Sequence, residues 1–245
     1  MITKSQVKYI QSLGQKKFRD DLGLFVAEGP KIINELLETI PSHLVGLFAT
    51  EDGMNNQPQW RKLDGSQVTI FTESDLERIS FLPSPNTVLG VFKKTKPLVP
   101  VFSRQLALML DGLQDPGNLG TIIRIADWFG ISQLICSGDT ADAFAPKVIQ
   151  SSMGSIARVQ LCYTDLPALI HAHPEIRLIA ASLHGNPLQE TGKLKEGVIV
   201  IGNESKGIRK EVLEHCAQKI TIPRIGKAES LNAAVATGII LSHLL

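Results

Sequence analysis

The sequence predicts an α/β protein, with a small N-terminal α/β unit followed by a mostly parallel sheet covered by helices. Three observations carry that expectation. Short runs of aliphatic and β-branched residues recur along the chain, separated by stretches whose apolar residues have helical spacing. The segment KKTKPLVPVFSR (93–104) interrupts them with charge and two prolines. Beyond it, six apolar runs from LALMLDG to KITIP are separated by helix-length intervals, as in βα units.

The elements follow in order. QVKYIQSLG (6–14) is a helix, with Val7, Ile10 and Leu13 on one side. LFVAEG (24–29) is a strand, and KIINELLETI (31–40) a helix with Ile32, Ile33, Leu36 and Leu37 facing one way. HLVGLFAT, QVTIFT and TVLGVFKK read as buried strands, with ESDLERIS (73–80) a short helix between the last two. The second set of strands is LALMLDG, SQLICSG, RVQLCYT, RLIAASL, GVIVIGN and KITIP. It closes with a nearly all-apolar helix over SLNAAVATGIILSHLL (230–245), which should be buried. The expected organisation is residues 1–95 as one domain, 96–104 as linker and 105–245 as a second domain.

Composition narrows the function. The chain has 245 residues, 43% hydrophobic and 20% charged, with a net charge of +1. No apolar run approaches the roughly 20 residues that span a bilayer, so no membrane partner is expected. Cys136, Cys162 and Cys216 are far apart, and neither they nor the six histidines show metal-ligand spacing. The first residues lack a secretory leader pattern. A reduced, cytoplasmic chain without a metal is the expectation. Residues 1–19 hold Lys4, Lys8, Lys16, Lys17 and Arg19 and no acid. Such a cluster is either solvated surface or a nucleic-acid contact, with Lys16, Lys17 and Arg19 the candidates.

No dinucleotide glycine fingerprint, P-loop, HExxH or GxSxG is present. Three polar islands remain, each just past a strand's carboxyl end, where open α/β sheets bind ligands. In LDGLQDPGNLGTIIRIAD (110–127) a helix begins near 118. Leu119, Ile122, Ile123 and Ala126 form its apolar stripe, and Arg124 lies off it. A surface pair with Asp127 would explain Arg124, and an N-cap would explain Asn118. In IVIGNESKGIRKEV (199–212), Asn203 and Glu204 sit at a strand's mouth. In ITIPRIGKAESLNAAVATG (220–238), Ser230 and Asn232 open the last helix, Ser230 as a plausible cap.

Together these islands resemble the SpoU family of RNA 2′-O-methyltransferases, of the SPOUT class. Asn118 and Arg124 match its first motif, GNE (202–204) the second, and IP with SLNAAVATG (222–223 and 230–238) the third. SSMGS (151–155) is similar to the small-residue stretch between them. Residues 1–95, with FVAEGPKIINELL (25–37), resemble the family's substrate-binding domain, itself similar to RNA-binding ribosomal proteins. The resemblance implies a deep trefoil knot in the C-terminal domain, a homodimer and S-adenosylmethionine as cofactor. It implies Asn118, Arg124, Glu204, Ser230 and Asn232 as catalytic residues, and Leu183, Gly202, Ile222 and Leu231 as cofactor contacts. Glycine at 202 would allow close approach of the adenosine. The implied reaction is methylation of a ribose 2′-hydroxyl in structured RNA, ribosomal RNA favoured over transfer RNA. The alternative is a ribosome-assembly factor that binds RNA and has lost catalysis.

Overall fold

The computed structural model describes residues 2–96 and 99–245. The chain forms two compact units, Met1–Lys96 with Asp142–Ala157 and Pro97–Ala141 with Arg158–Leu245. The expected linker, 96–104, includes residues 97 and 98, which lie outside the described residues.

The first unit opens with α1 (Lys4–Ser12), held at its start by a capping box. The Thr3 hydroxyl accepts from the Gln6 amide while the Gln6 side chain accepts from Thr3 N. Helix α2 (Lys16–Leu22) ends at Gly23, in the left-handed conformation that glycine permits. There follow β1 (Leu24–Glu28), α3 (Pro30–Thr39), β2 (Leu44–Ala49), α4 (Glu51–Asn56), β3 (Val68–Ile70), α5 (Glu73–Glu77) and β4 (Val88–Lys93). The strands lie in the order β1-β4-β2-β3, with only the β2–β3 pair parallel. Ile10, Leu13, Val26, Ile79, Leu89 and Val91 form its core. The strands expected to be buried differ: Val45 and Ile70 are exposed, because β2 shows one face to solvent and β3 is an edge strand.

The second unit begins with β5 (Leu106–Asp111), α6 (Pro116–Trp128) and β6 (Gln133–Ser137). The chain then enters Asp142–Ala157, which carries α7 (Pro146–Ser152) and packs within the first unit. There the Phe144 ring lies 5.1 Å from that of Phe25. Asp142 Oδ2 accepts from Arg19 Nε at 3.0 Å and from its terminal nitrogen at 2.5 Å. The other terminal nitrogen of Arg19 donates to the Leu13 carbonyl. Arg19 is only 3% exposed. The expected RNA contact at Arg19 is therefore corrected: its guanidinium is committed to an internal ion pair.

The second unit resumes with β7 (Gln160–Thr164), α8 (Leu166–Ala172), β8 (Leu178–Pro187), β9 (Gly197–Gly202), α9 (Lys210–Leu213), β10 (Gln218–Thr221) and α10 (Ala233–Leu244). Its sheet runs β10-β8-β9-β5-β6-β7, with every pair parallel. The central strands β5 and β9 are apolar and buried almost throughout, as a sheet covered on both faces requires. Two helix starts differ from expectation. Helix α6 begins at Pro116 with Asp115 as cap, accepting from Asn118 N at 2.7 Å. Helix α10 is capped by Asn232 rather than Ser230. The last helix is also not wholly buried, since Val235 and Ile239 are 51% and 40% exposed.

Candidate functional site

The site is built where β5 and β9 end side by side, with Asp111 opposite Gly202. Beyond Gly202 the chain doubles back. Asn203 N donates to Gly207 O at 3.0 Å, and Gly207 N returns to Asn203 O at 2.9 Å. The Asn203 carboxamide closes the turn by accepting from Ser205 N and Lys206 N. Its amide nitrogen donates to Gly112 O at 2.7 Å, tying the turn to the end of β5. A Cβ on Gly202 would lie 2.4 Å from the Gly207 carbonyl carbon and 2.5 Å from Ile208 N. Glycine is thus required by the returning chain itself, which supplies a reason the sequence did not show.

Three segments remote in sequence meet at this edge. Asn232 Nδ2 donates to Asn118 Oδ1 at 2.8 Å, and Asn118 Nδ2 donates to Glu204 Oε1 at 2.8 Å. The Asn232 carbonyl oxygen meanwhile caps α10 through Ala234 N and Val235 N. Because Asp115 caps α6, the Asn118 side chain is free for this relay.

Glu204 stands on the rim of a cavity of about 630 Å³. Ile201, Leu213, Ile220, Ile222 and Ile240 give it apolar walls, and Leu183, Gly202, Ser230 and Leu231 also line it. A volume of this size suits a small organic ligand. All four expected cofactor positions therefore fall on one cavity, together with Glu204 and Ser230. Asn118 is one hydrogen bond away and Asn232 two.

Arg124 lies six residues beyond Asn118 on α6, a rise of about 9 Å. The stripe of Leu119, Ile122, Ile123 and Ala126 is fully buried, and Arg124 is exposed. Asp127 does not pair with it; its carboxylate is gripped by Arg158, at distances of 2.8–3.1 Å. Among the described residues no hydrogen bond or ion pair engages the Arg124 side chain.

On the first unit, Lys17 is exposed and Lys16 pairs with Asp20 at 2.5 Å. Asp20 also binds Lys94, and hydrogen bonds from both lysines hold its carboxyl below the usual range. Among the described residues no cluster of three metal-ligating side chains occurs, and no helix is long and apolar enough to cross a membrane. Sequence reasoning missed Asp111 and Arg209, which join β5 to the end of the 203–208 turn. A lone acid closing the apolar run LALML was the available signal.

This arrangement defines an α/β domain with a cavity at the carboxyl ends of parallel strands. Residues 105–242 match the SpoU rRNA Methylase family, and residues 4–90 match the MRM3-like substrate binding domain. The chain belongs to the SpoU rRNA methylase family. It is 28% identical over 242 residues to the 23S rRNA (guanosine(2553)-2′-O)-methyltransferase RlmP of Bacillus subtilis, covering 98% of this chain and 95% of that one. Among solved structures, a putative RNA methyltransferase of the TrmH family from Porphyromonas gingivalis superposes with a TM-score of 0.87 at 36% identity, covering 100% and 98% of the two chains. An AdoMet-bound rRNA methyltransferase from Sinorhizobium meliloti gives 0.86 at 30% identity, covering 100% and 95%.

Proposed function

We propose that this protein methylates a ribose 2′-hydroxyl of structured RNA with S-adenosylmethionine as methyl donor, and that the RNA is ribosomal. One observation carries the reading. The Asn232–Asn118–Glu204 relay gathers three distant segments at the rim of an apolar cavity, while the exposed Arg124 stands on the same helix as Asn118. Ribosomal RNA is favoured because one relative and one solved structure that each span nearly the whole chain are named for it.

The residues present fit the cofactor. The isoleucine walls suit an adenine ring. The Glu204 carboxylate suits a neighbouring cation. When bound, S-adenosylmethionine supplies a methyl group activated by a sulfonium. The chain's own residues do the rest. Leu183, Gly202, Ile222 and Leu231 exclude water and hold the adenosine. Arg124 offers its fork to the phosphate beside the target ribose. There Arg124 orients the phosphate and stabilises charge. Ser230, which lines the cavity, is assigned to the substrate hydroxyl in this proposal. Asn118 and Asn232 fix the direction of Glu204.

The family's trefoil knot and homodimer belong to the same proposal. Trp128 is 84% exposed on α6, and Val235 and Ile239 are exposed on α10. Exposed apolar side chains of this kind suit a second copy of the chain. Lys16 and Lys17 are proposed to bind RNA from the first unit.

Calorimetric titration with S-adenosylmethionine and mapping of 2′-O-methyls in total RNA with and without the gene test the reading. Leu231→Arg, at an exposed cavity-lining position, should weaken cofactor binding at least tenfold in a folded protein. Unaltered binding would remove the cavity from consideration. A wild-type protein that binds RNA but not the cofactor would favour the assembly-factor alternative.

A further inference from the structure

We infer that Asp111 and Arg209 are positioning residues, a clamp that holds the 203–208 turn in the shape that receives the ligand. This rests on the cavity being the S-adenosylmethionine site. Asp111 ends β5, and its side chain is 0% exposed. A buried carboxylate is costly unless its oxygens are satisfied. One residue supplies that satisfaction. Arg209 N donates to Oδ2 at 2.7 Å, Arg209 Nε donates to Oδ1 at 2.6 Å, and a terminal guanidinium nitrogen also reaches Oδ1. Asp111 therefore grips both the backbone and the side chain of Arg209. The guanidinium also reaches Asp139 Oδ1 at 3.4 Å, an oxygen that accepts from Ser137 Oγ at 2.6 Å.

The turn is thus fastened at two points to the end of β5. Asn203 binds Gly112 O at the near end, and Arg209 binds Asp111 at the far end. Between the fastenings, Glu204 to Ile208 line the cavity. The Arg209 side chain is 49% exposed, so core packing does not account for it. A guanidinium already shared between two carboxylates is poorly placed to bind a substrate phosphate as well. Its effect reaches the ligand through the turn it holds.

The experiment uses the full chain and two readouts. In Arg209→Gln and Asp111→Asn, amide hydrogen exchange at 203–208 should rise in the ligand-free protein. The dissociation constant for S-adenosylmethionine should rise roughly 10- to 100-fold, the range spanned by removal of a charged hydrogen bond. The rate at saturating cofactor should change much less, splitting KM from kcat. Arg209→Lys keeps the charge and the backbone bond, so it should recover part of the affinity. The double variant should be no worse than either single one. Should Asp111→Asn fail to fold, Arg209→Gln decides alone, since its half-exposed side chain leaves no core cavity and the backbone bond to Asp111 Oδ2 remains. Unchanged exchange in folded Arg209→Gln, or raised exchange with unchanged cofactor affinity, overturns the clamp. A wild-type protein that binds no cofactor while its variants still loosen the turn would instead overturn the proposed function and leave the mechanical clamp standing.

Discussion

Helix α2 of the first unit and helix α6 of the second each carry an arginine, and the two are used in opposite ways. Arg19 follows two lysines in a stretch without acids, yet it is buried and bound to Asp142 and Leu13 O. Arg124 sits between two isoleucines, yet it is exposed, and no side chain among the described residues holds it. The difference teaches that an arginine's service is set by what its guanidinium still has to offer. A guanidinium with its donors taken stabilises the fold; one with five free donors in a rigid fork can recognise an incoming anion.

The comparison can be broken most directly at Arg19. Arg19→Ala strands the Asp142 carboxylate, which is itself largely buried, and should cost about 3 kcal/mol or more in chemical denaturation. RNA affinity of the folded fraction should not change. If stability holds and RNA affinity falls, Arg19 belongs with the RNA-binding residues after all. Arg124→Ala should do the reverse, keeping stability and cofactor affinity while single-turnover methyl transfer falls by about 10²–10³. Arg124→Lys should recover only part of that rate. Near wild-type turnover in Arg124→Ala would erase the contrast.

A smaller effect sharpens it. Changing Lys16 and Lys17 together to Ala should flatten the salt dependence of RNA binding by roughly 0.7–0.9 for each phosphate no longer neutralised. An unchanged slope would leave α2 without a role in binding RNA. The smallest effect is expected at Arg158, whose pair with Asp127 is partly exposed. Arg158→Ala should cost roughly 0.2–1 kcal/mol and leave catalysis intact.

Periodicity made the inner face of α6 legible, because burial of Leu119, Ile122, Ile123 and Ala126 follows from spacing alone. The start of that helix was also written in the sequence. Asp115 followed by Pro116 is a cap and first-turn pair, and reading it would have freed Asn118 from the capping role. Of the residues the motifs singled out, Gly202, Glu204, Ile222, Ser230 and Leu231 line one cavity, and Arg124 is not among its lining residues. What could not be read were facts made only by tertiary packing. Nothing in DAFAPKVIQSSMGSIA reveals that it packs with β1 and α2, since its partners lie more than a hundred residues away. The burial of Arg19 follows from that packing and was hidden with it. The demand for glycine at 202 likewise comes from Gly207 and Ile208 returning across it, not from its own neighbours.

The excursion of Asp142–Ala157 also bears on dissecting the molecule into pieces. The polypeptide changes unit at 96/97, again at 141/142 and again at 157/158. Proteolysis within 99–104 would leave the second unit's fragment carrying Asp142–Ala157, which belongs to the first. The liberated amino-terminal fragment would lack the carboxylate for Arg19 and the ring that meets Phe25. Recombinant expression of residues 1–96 alone should therefore give a weakened, aggregation-prone polypeptide. A faithful minimal version must supply residues 142–157 as well, through a designed connection or as a separate peptide.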